Sequence, residues 1–428
     1  MRKIRWLKKP GNRSNFVGKG FIMTAQRITK EPQFNLLQKI TLFLLILAGM
    51  NFLNQYKILT AVACVLYLFC SVKFIINKDM MWLLLLAVSW VAFSPEGTKT
   101  LPSMIMPFTF LLAYCVGLNF LPKDNQEKAE KSLSKAIIAV SIGPFVHFVL
   151  NFINNFGKNV ERNSIDFWTG LVMSATGQAT LSLMMLSVAI VMLFTNTQAR
   201  NKVWSVLVLV AIFFYNLTLA GRTLFVMLML LFAVSLLFLL IKGEKKGDKY
   251  KTLLIVVLII LMLTVLYNLN VFGIQDMIKS SNLYDRFFGR WAKDLDEDSR
   301  MEKKLNFLQN FGKSIWGGVH LRPLYGYAHD ILLDTYDEAG ILALIAVLMF
   351  LISAVRRLIS CLKNRTLKFE TQQWILGMYI AILVQFTAEP VIQGIPWMFM
   401  LFCFIHGMVT QLDKTSRRRA TELNQNKN

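Results

Sequence analysis

Long apolar stretches separated by short charged segments run through most of the chain. A helix needs about 20 residues to cross about 30 Å of hydrocarbon, and it satisfies its own backbone hydrogen bonds inside lipid. The pattern therefore predicts an all-α, polytopic integral membrane protein with about twelve transmembrane helices. The predicted spans are 40–56, 58–76, 80–94, 101–121, 136–153, 177–195, 203–220, 223–241, 252–271, 339–355, 374–389 and 395–411.

The apolar run from Val203 to Ile241 is too long for one span. Ala220–Thr223 interrupts it at its midpoint, and basic residues flank both of its ends. We therefore predict a tight helical hairpin with Arg222 in the turn. No small-residue cleavage site follows the first span, so we expect that span to be a retained helix and not a removed signal peptide.

The distribution of positive charge predicts the topology. The 428 residues are 55% hydrophobic and 17% charged, with a formal net charge of +22. With a cytoplasmic N-terminus and alternating spans, the cytoplasmic segments contain 33 lysines and arginines, and the short loops on the other side contain only 5. This bias predicts that both termini are cytoplasmic and that the long loop is extracytoplasmic. Because the excess charge flanks the apolar runs, no nucleic acid partner is indicated.

This topology divides the chain into five segments. They are a basic cytoplasmic tail at 1–39, nine spans at 40–271, a large extracytoplasmic loop at 272–338, three spans at 339–411 and a second basic cytoplasmic tail at 412–428. The tails are expected to fix the orientation and to attract anionic membrane lipid. The five cysteines fall in spans or in a cytoplasmic loop, which favours core packing over a disulfide framework.

The candidate chemistry lies on the predicted outer face. Arg222 is in the hairpin turn, and the long loop contains Arg286, Arg290, Arg300 and Arg322. The guanidinium group matches phosphate oxygens, which predicts an anionic ligand. The alternative is that these arginines pair with the 11 carboxylates of the loop.

His329 is expected to open a short helix that runs along the membrane boundary into the tenth span. A histidine in this position suits a general base that acts on a hydroxyl group. The alternative is a hydrogen-bonded structural histidine. His320 also lies in this loop, and the sequence does not assign it a role.

Other polar residues point away from metal and transport chemistry. Asp294 and Asp296 have the spacing of a metal-binding carboxylate pair, but their acidic run is typical of a solvated loop. His147 and His406 lie on apolar helices and are expected to be packed. No carboxylate except Glu389 lies within a predicted span, which counts against an ion-coupled transporter.

Four segments carry a resemblance to a known family. They are Gly170–Leu183, Leu219–Thr223, the stretch from Asp298-Ser299-Arg300 to Trp316-Gly317-Gly318, and His329-Asp330 followed by Glu338-Ala339-Gly340-Ile341. In this order and spacing they resemble the bacterial O-antigen ligase and polymerase superfamily, membrane enzymes that join lipid-linked glycans outside the cytoplasmic membrane. The likeness covers about residues 165–360. Asp330 stands where the family more commonly has Asn, and Gly317-Gly318 differs from its usual Gly-x-Gly.

The resemblance implies a metal-independent glycosyltransferase with no cofactor. Its donor would be a glycan on polyprenyl pyrophosphate; an acceptor sugar hydroxyl would attack the anomeric carbon and the lipid pyrophosphate would leave. The implied catalytic residues are His329, as the base or acceptor-positioning group, with Arg222 and Arg300 holding the pyrophosphate. The implied substrate-binding residues are Arg286, Arg290, Arg322 and Asp330.

The leading expectation is a polymerase of repeat units for capsule, exopolysaccharide or O-antigen. It would lie in the bacterial cytoplasmic membrane, with other polysaccharide assembly proteins as candidate partners. Two alternatives stay open. One is a ligase that transfers finished lipid-linked glycan to another acceptor, and the other is a flippase or transporter of lipid-linked oligosaccharide.

Overall fold

The computed structural model describes residues 34–71, 76–95, 100–158, 163–195, 198–243, 246–289 and 299–425. These ranges contain seventeen α-helices, three short 3-10 turns and one sheet of two strands. The helices are α1 (Leu36–Gly49), α2 (Tyr56–Ser71), α3 (Lys78–Phe93), α4 (Leu101–Phe120), α5 (Gln126–Asn155), α6 (Ala175–Phe194), α7 (Ala199–Leu219), α8 (Arg222–Lys242), α9 (Lys246–Asn268), α10 (Ile274–Lys279), α11 (Asn282–Phe288), α12 (Ser299–Gln309), α13 (Arg322–Tyr325), α14 (Ile331–Lys363), α15 (Phe369–Phe386), α16 (Val391–Gly394) and α17 (Pro396–Gln425).

The all-α prediction is confirmed for the described residues. Their two strands, β1 (Asn163–Ile165) and β2 (Val172–Ser174), pair antiparallel between α5 and α6. Ser174 then caps α6, because its side chain accepts a hydrogen bond from the backbone N–H of Gly177.

The prediction of twelve spans is wrong, because fewer than twelve of the described helices are long and apolar enough to cross a membrane. Six described helices are long and apolar enough to cross a membrane, and a seventh is obtained if a bent pair, Val256–Asn268 and Val271–Lys279 at 94°, is one span. The six are α4, α5, α6, α7, α8 and α14.

Two physical causes reduce the count. The helices α1, α2 and α3 have 14, 16 and 16 residues, so they are shorter than a full crossing requires. The helices α15 and α17 are long enough but are less apolar, since α15 carries Gln372, Gln373 and Gln385, and α17 ends in a charged half. These glutamines are buried against neighbouring helices, so protein and not lipid surrounds them.

Apolar side chains cover much of the outer surface of the bundle. Along α7, α8 and α9, large apolar residues are exposed, among them Leu207, Phe214, Met229, Leu258 and Leu261. A water-soluble protein rarely exposes apolar surface this extensive. The arrangement is consistent with a membrane protein.

The helix α17 lies in the interior of the bundle, where Phe399, Phe402 and Phe404 are fully buried. It crosses α4 at Gly117 and Gly407, and a Cβ at either position would collide with a carbonyl oxygen of the other helix. Small residues let two helix backbones approach closely in this way. The close crossing explains why α17 can be buried on all sides although it is not the most apolar helix.

The predicted break and tight turn at Arg222 are confirmed, although α7 and α8 pack mainly against α6 and not against each other. α7 ends at Leu219, Ala220 adopts the left-handed conformation (φ 54°), and α8 begins at Arg222. The side chain of Asn216 accepts a hydrogen bond of 3.0 Å from the backbone N–H of Gly221, which closes the turn.

The connection between α5 and α6 is held by Asp166, which lies between the two strands. Asp166 contacts His147 at 2.5 Å and accepts hydrogen bonds from the backbone N–H and the hydroxyl of Thr169. Burial raises the pKa of Asp166, but the hydrogen bond and positive charge of His147, with the Thr169 bonds, outweigh burial and lower the pKa to about 2. His147 is therefore packed, as expected, and it also anchors this connection.

Candidate functional site

The segment that carries His329 leads into α14 as predicted. Asp330 caps α14, and its side chain accepts hydrogen bonds from the backbone N–H groups of Leu332 and Leu333. Asp334, one turn later, accepts from the backbone N–H groups of Ala328 and Asp330. His329 itself has a left-handed backbone (φ 55°), a conformation that a residue with a Cβ adopts only when its surroundings hold it there.

The first turns of α14 form a short helix that ends at Gly340, where the backbone leaves helical geometry (φ 80°, ψ −172°). A Cβ at Gly340 would stand 2.7 Å from the carbonyl oxygen of Ile315, and one at Gly317 would stand 2.8 Å from that of Glu338. Only glycine permits two backbones to approach this closely, and both positive φ angles also favour glycine. The backbone at the break in α14 is thus in direct contact with the loop that precedes α13.

Asp337 fixes the loop that follows. Its carboxylate accepts hydrogen bonds from the hydroxyl of Ser314 and from three consecutive backbone N–H groups, those of His320, Leu321 and Arg322. Four donors satisfy the hydrogen-bonding capacity of this buried carboxylate and hold the loop against it. The loop is therefore a rigid part of the site.

A polar cluster, defined as His329, Arg300, Lys304, Asp330 and Glu389, lies where α15 ends and α14 begins. Glu389 is its centre: one carboxylate oxygen accepts a 3.0 Å hydrogen bond from Arg300 Nη2, and the other lies 3.6 Å from His329 Nδ1. The Glu389 side chain is only 8% exposed, whereas those of Arg300 and His329 are 32% and 23% exposed. The carboxylate is thus at the base of the cluster, and the cation and the imidazole reach the surface.

Two further hydrogen bonds join α12 to the same place. Arg300 Nη1 donates to the carbonyl of Ala388 at 3.2 Å, and Lys304 Nζ donates to the carbonyl of Thr387 at 2.9 Å. Lys304 also donates to Asp330 at 3.3 Å. Arg300 and Lys304 are four residues apart, so they lie on one face of α12. Both side chains donate to carbonyl groups just after the end of α15.

Arg322 is in a neighbouring but separate arrangement. Its Nη1 donates to Glu338 at 3.0 Å and to the Tyr327 hydroxyl at 3.3 Å, and its guanidinium lies 5.1 Å from the centroid of the Tyr327 ring. The other oxygen of Glu338 accepts from the Ser94 hydroxyl at 2.5 Å. Arg322 therefore pairs with a carboxylate of the loop, which is the alternative that the sequence left open. His320 lies beside Gly318 and is exposed.

The hairpin turn contacts Arg286. Arg286 is buried on α11, and its Nη1 donates to the carbonyl of Ala220 at 2.7 Å. Asn282, on the same helix, donates to the carbonyl of Thr218. Arg222 follows directly as the first residue of α8 and is partly exposed. Arg286 therefore supports the turn that presents Arg222.

The packing of three helices places Arg222 at the same end of the bundle as the polar cluster. Near the end of α15, Gln385 donates to Thr180, which lies in the second turn of α6. Near the start of α15, Gln373 donates to the carbonyl of Ser235, which lies towards the end of α8. α8 therefore runs antiparallel to α15, and its first residue, Arg222, lies at the end where α15 meets the polar cluster.

Some of the predicted site residues have no described position. Arg290, Asp294 and Asp296 lie outside the described residues. Within the ranges that the structure does describe, no group of three or more histidine, cysteine, aspartate or glutamate side chains is arranged to hold a metal ion.

The sequence did not identify Glu389 and Lys304 as site residues. Glu389 was visible as the one carboxylate within a predicted span, and a buried acid of that kind signals a partner. Lys304 gave no signal except its position four residues after Arg300. His406, expected to be merely packed, also has polar partners: it contacts Asp79 at 3.5 Å and Tyr379 at 2.7 Å inside the bundle.

This arrangement can bind an anion and accept a proton at neighbouring positions. Arg300 and Lys304 provide two cationic groups that are held in place by backbone carbonyls, and His329 provides an imidazole whose Nδ1 faces Glu389. The 3.6 Å separation is a charge contact and not a hydrogen bond, and Nδ1 has no hydrogen-bond partner among the described residues. Comparison of the chain with known protein families and with curated proteins finds no match to either.

Proposed function

We propose that the chain is a membrane glycosyltransferase that polymerises glycan repeat units carried on polyprenyl pyrophosphate. The observation that carries this proposal is the polar cluster, in which an imidazole and two fixed cations share one end of the helix bundle with Arg222. A base beside cationic groups is what transfer of a sugar from a pyrophosphate leaving group requires. The order of segments that resembles the O-antigen ligase and polymerase superfamily supports the same reaction class.

In the proposed reaction, a hydroxyl of the acceptor glycan attacks the anomeric carbon of the donor glycan. The bond between that carbon and the pyrophosphate oxygen breaks, and the bonding electron pair leaves with the lipid pyrophosphate. His329 Nε2 accepts the proton of the attacking hydroxyl, and Glu389 stabilises the imidazolium that forms. Arg300, Lys304 and Arg222 stabilise the charge on the departing pyrophosphate.

The proposed side of the reaction follows from the charge distribution. The polar cluster lies at the end of the bundle opposite the basic last turns of α8 and α14, which contain Lys242 and Lys363. The positive-inside rule assigns the end without this basic charge to the outer face. Donor and acceptor would then both be lipid-linked glycans in the outer leaflet of the bacterial cytoplasmic membrane.

The experiment that tests the proposal compares lipid-linked glycans from cells that express wild type, His329→Ala or Arg222→Ala at equal membrane levels. Single unpolymerised repeats should accumulate in both variants, since loss of one charge-stabilising donor typically lowers the rate about a hundred- to a thousand-fold. His320→Ala is the matched control, because it removes an exposed histidine of the same loop, and we expect a normal ladder from it.

Three other outcomes contradict the polymerase. Long lipid-linked chains that accumulate untransferred would indicate a ligase. Intact polymerisation with failed movement of the lipid-linked repeat across the membrane in Arg222→Ala would indicate a flippase. A normal ladder in both variants would show that the polar cluster is structural.

A further inference from the structure

A cavity of about 440 Å³ lies beside the C-terminal half of α17, away from the polar cluster. This volume is within the range of about 300–1,000 Å³ that is typical of small-molecule sites. Four of its lining residues are cationic, and Asn77 and Thr410 add polar groups; the cationic residues are Arg357, Lys414, Arg417 and Arg418.

Asp413 fixes the positions of two of these cations. It is fully buried and contacts Arg357 at 2.6 Å and Arg417 at 3.1 Å. Its other oxygen accepts a hydrogen bond of 2.5 Å from the hydroxyl of Ser360. Arg357 and Arg417 are therefore held by one carboxylate, a preorganised arrangement in which their remaining N–H groups have a defined direction.

The other two cations, Lys414 and Arg418, have no carboxylate partner among the described residues. Both side chains are exposed. They are four residues apart on α17 and so lie on one face, where like charges repel each other. An anion in the cavity would relieve this repulsion.

The cavity and the polar cluster lie at opposite ends of α14. From Gly340 to Arg357 this helix advances by 17 positions, which corresponds to about 26 Å, close to the thickness of a bilayer core. Lys363, Arg365 and Lys368 lie at the same end of α14 as the cavity, and the positive-inside rule assigns such a basic end to the cytoplasm. The cavity is thus distinct from the proposed catalytic site.

We propose that this cavity is a binding site for the phosphate group of an anionic ligand. Arg357 and Arg417 act as fixed donors that match phosphate oxygens, and Lys414 and Arg418 supply the charge that the phosphate neutralises. The phosphate has two possible sources, the headgroup of an anionic phospholipid in the adjoining leaflet or a soluble phosphate.

The test is equilibrium binding to the purified full chain in neutral detergent, with three probes: phosphatidylglycerol, phosphatidylcholine and inorganic phosphate. The double variant Lys414→Gln/Arg418→Gln removes the two unpaired charges. Arg419→Gln is the matched control, because Arg419 is the exposed neighbour of Arg418 and does not line the cavity. We expect the double variant to bind about 25-fold more weakly than wild type, about fivefold for each cation, and Arg419→Gln to bind as wild type does.

If wild type binds phosphatidylglycerol more tightly than phosphatidylcholine, and only the double variant loses this preference, the result supports the site and identifies its ligand as a lipid. Saturable binding of inorganic phosphate with no preference between the lipids supports the site with a soluble ligand. The proposal is overturned if no probe distinguishes wild type from the double variant. It is equally overturned if Arg419→Gln weakens binding as much as the double variant, since the attraction would then be that of a basic surface.

Discussion

Replacement of Glu389 by glutamine is the sharpest test of the polar cluster. Glutamine keeps the size and one acceptor oxygen of the side chain, so Arg300 can retain a hydrogen bond, but the negative charge is lost. The substitution therefore separates the charge of Glu389 from its shape. It also leaves the hydrogen bonds that Arg300 and Lys304 donate to the carbonyls of Ala388 and Thr387.

The expected magnitude follows from how far the pair is buried. Removal of one partner from a fully buried ion pair costs about 3–5 kcal/mol, whereas exposed pairs contribute about 0.2–1 kcal/mol. The Arg300–Glu389 pair is 3.0 Å long with one partner 8% and the other 32% exposed, so it lies between these limits. We expect a loss of about 2 kcal/mol in the free energy of unfolding.

Activity should fall independently of stability. Without the charge of Glu389, His329 loses the negative charge beside its ring, and Arg300 loses its ion-pair partner. A loss of about 2 kcal/mol at the transition state corresponds to about 30-fold in the rate of each folded molecule. Purified protein with a lipid-pyrophosphate repeat unit as substrate gives this rate directly, and thermal unfolding in detergent gives the stability.

Three further variants complete the experiment. Glu370→Gln removes a carboxylate at the opposite end of α15 and should leave the rate unchanged. Arg300→Gln and the double variant with Glu389→Gln close a double-mutant cycle, for which we expect a coupling energy of about 2 kcal/mol. Additivity within about 0.5 kcal/mol would refute the reasoning, because independent sites behave in that way.

Other contacts of the fold give further predictions. Gly340→Ala should lower the free energy of unfolding by about 1–3 kcal/mol, because of its positive φ and close neighbours, while Gly312→Ala, with open space around it, should be neutral in the same thermal assay. Asn216→Ala removes the acceptor for a buried N–H of the hairpin turn, and we expect thermal unfolding to show a loss of about 1–3 kcal/mol. Asp166 has a pKa lowered from its unfolded value to about 2, so the stability that it contributes is present above pH 4 and is lost as the pH falls towards 2; Asp166→Asn should unfold with a weaker pH dependence in that range.

The features that the sequence predicted correctly are local. The turn at Arg222 follows from a break within one long apolar run, and the helix after His329 follows from apolar residues at helical spacing. Both depend on residues within a few positions of each other. Local patterns of this kind determine turns and helix starts before any tertiary contact is formed.

The span count failed because sequence hydropathy assumes that lipid surrounds each helix. In this fold, other helices surround α17 and much of α15, and the buried side chains of Gln372, Gln373 and His406 each form at least one hydrogen bond with a protein group. The contact between Arg300 and Glu389 was unpredictable for a related reason, since 89 residues separate its partners. Only the packing of α12 against the end of α15 brings them together.

The sequence left open whether each arginine of the long loop binds a ligand or pairs with a protein carboxylate, and the structure shows that one does not exclude the other. Both contacts of Arg322 to side chains use Nη1, and a guanidinium has five N–H donors. Arg322 therefore neutralises the buried Glu338 and still has donors on a side chain that is 27% exposed. Protein pairing of this kind is how an anion-binding arginine is held in position before its ligand arrives, and it reduces the entropy that binding must overcome.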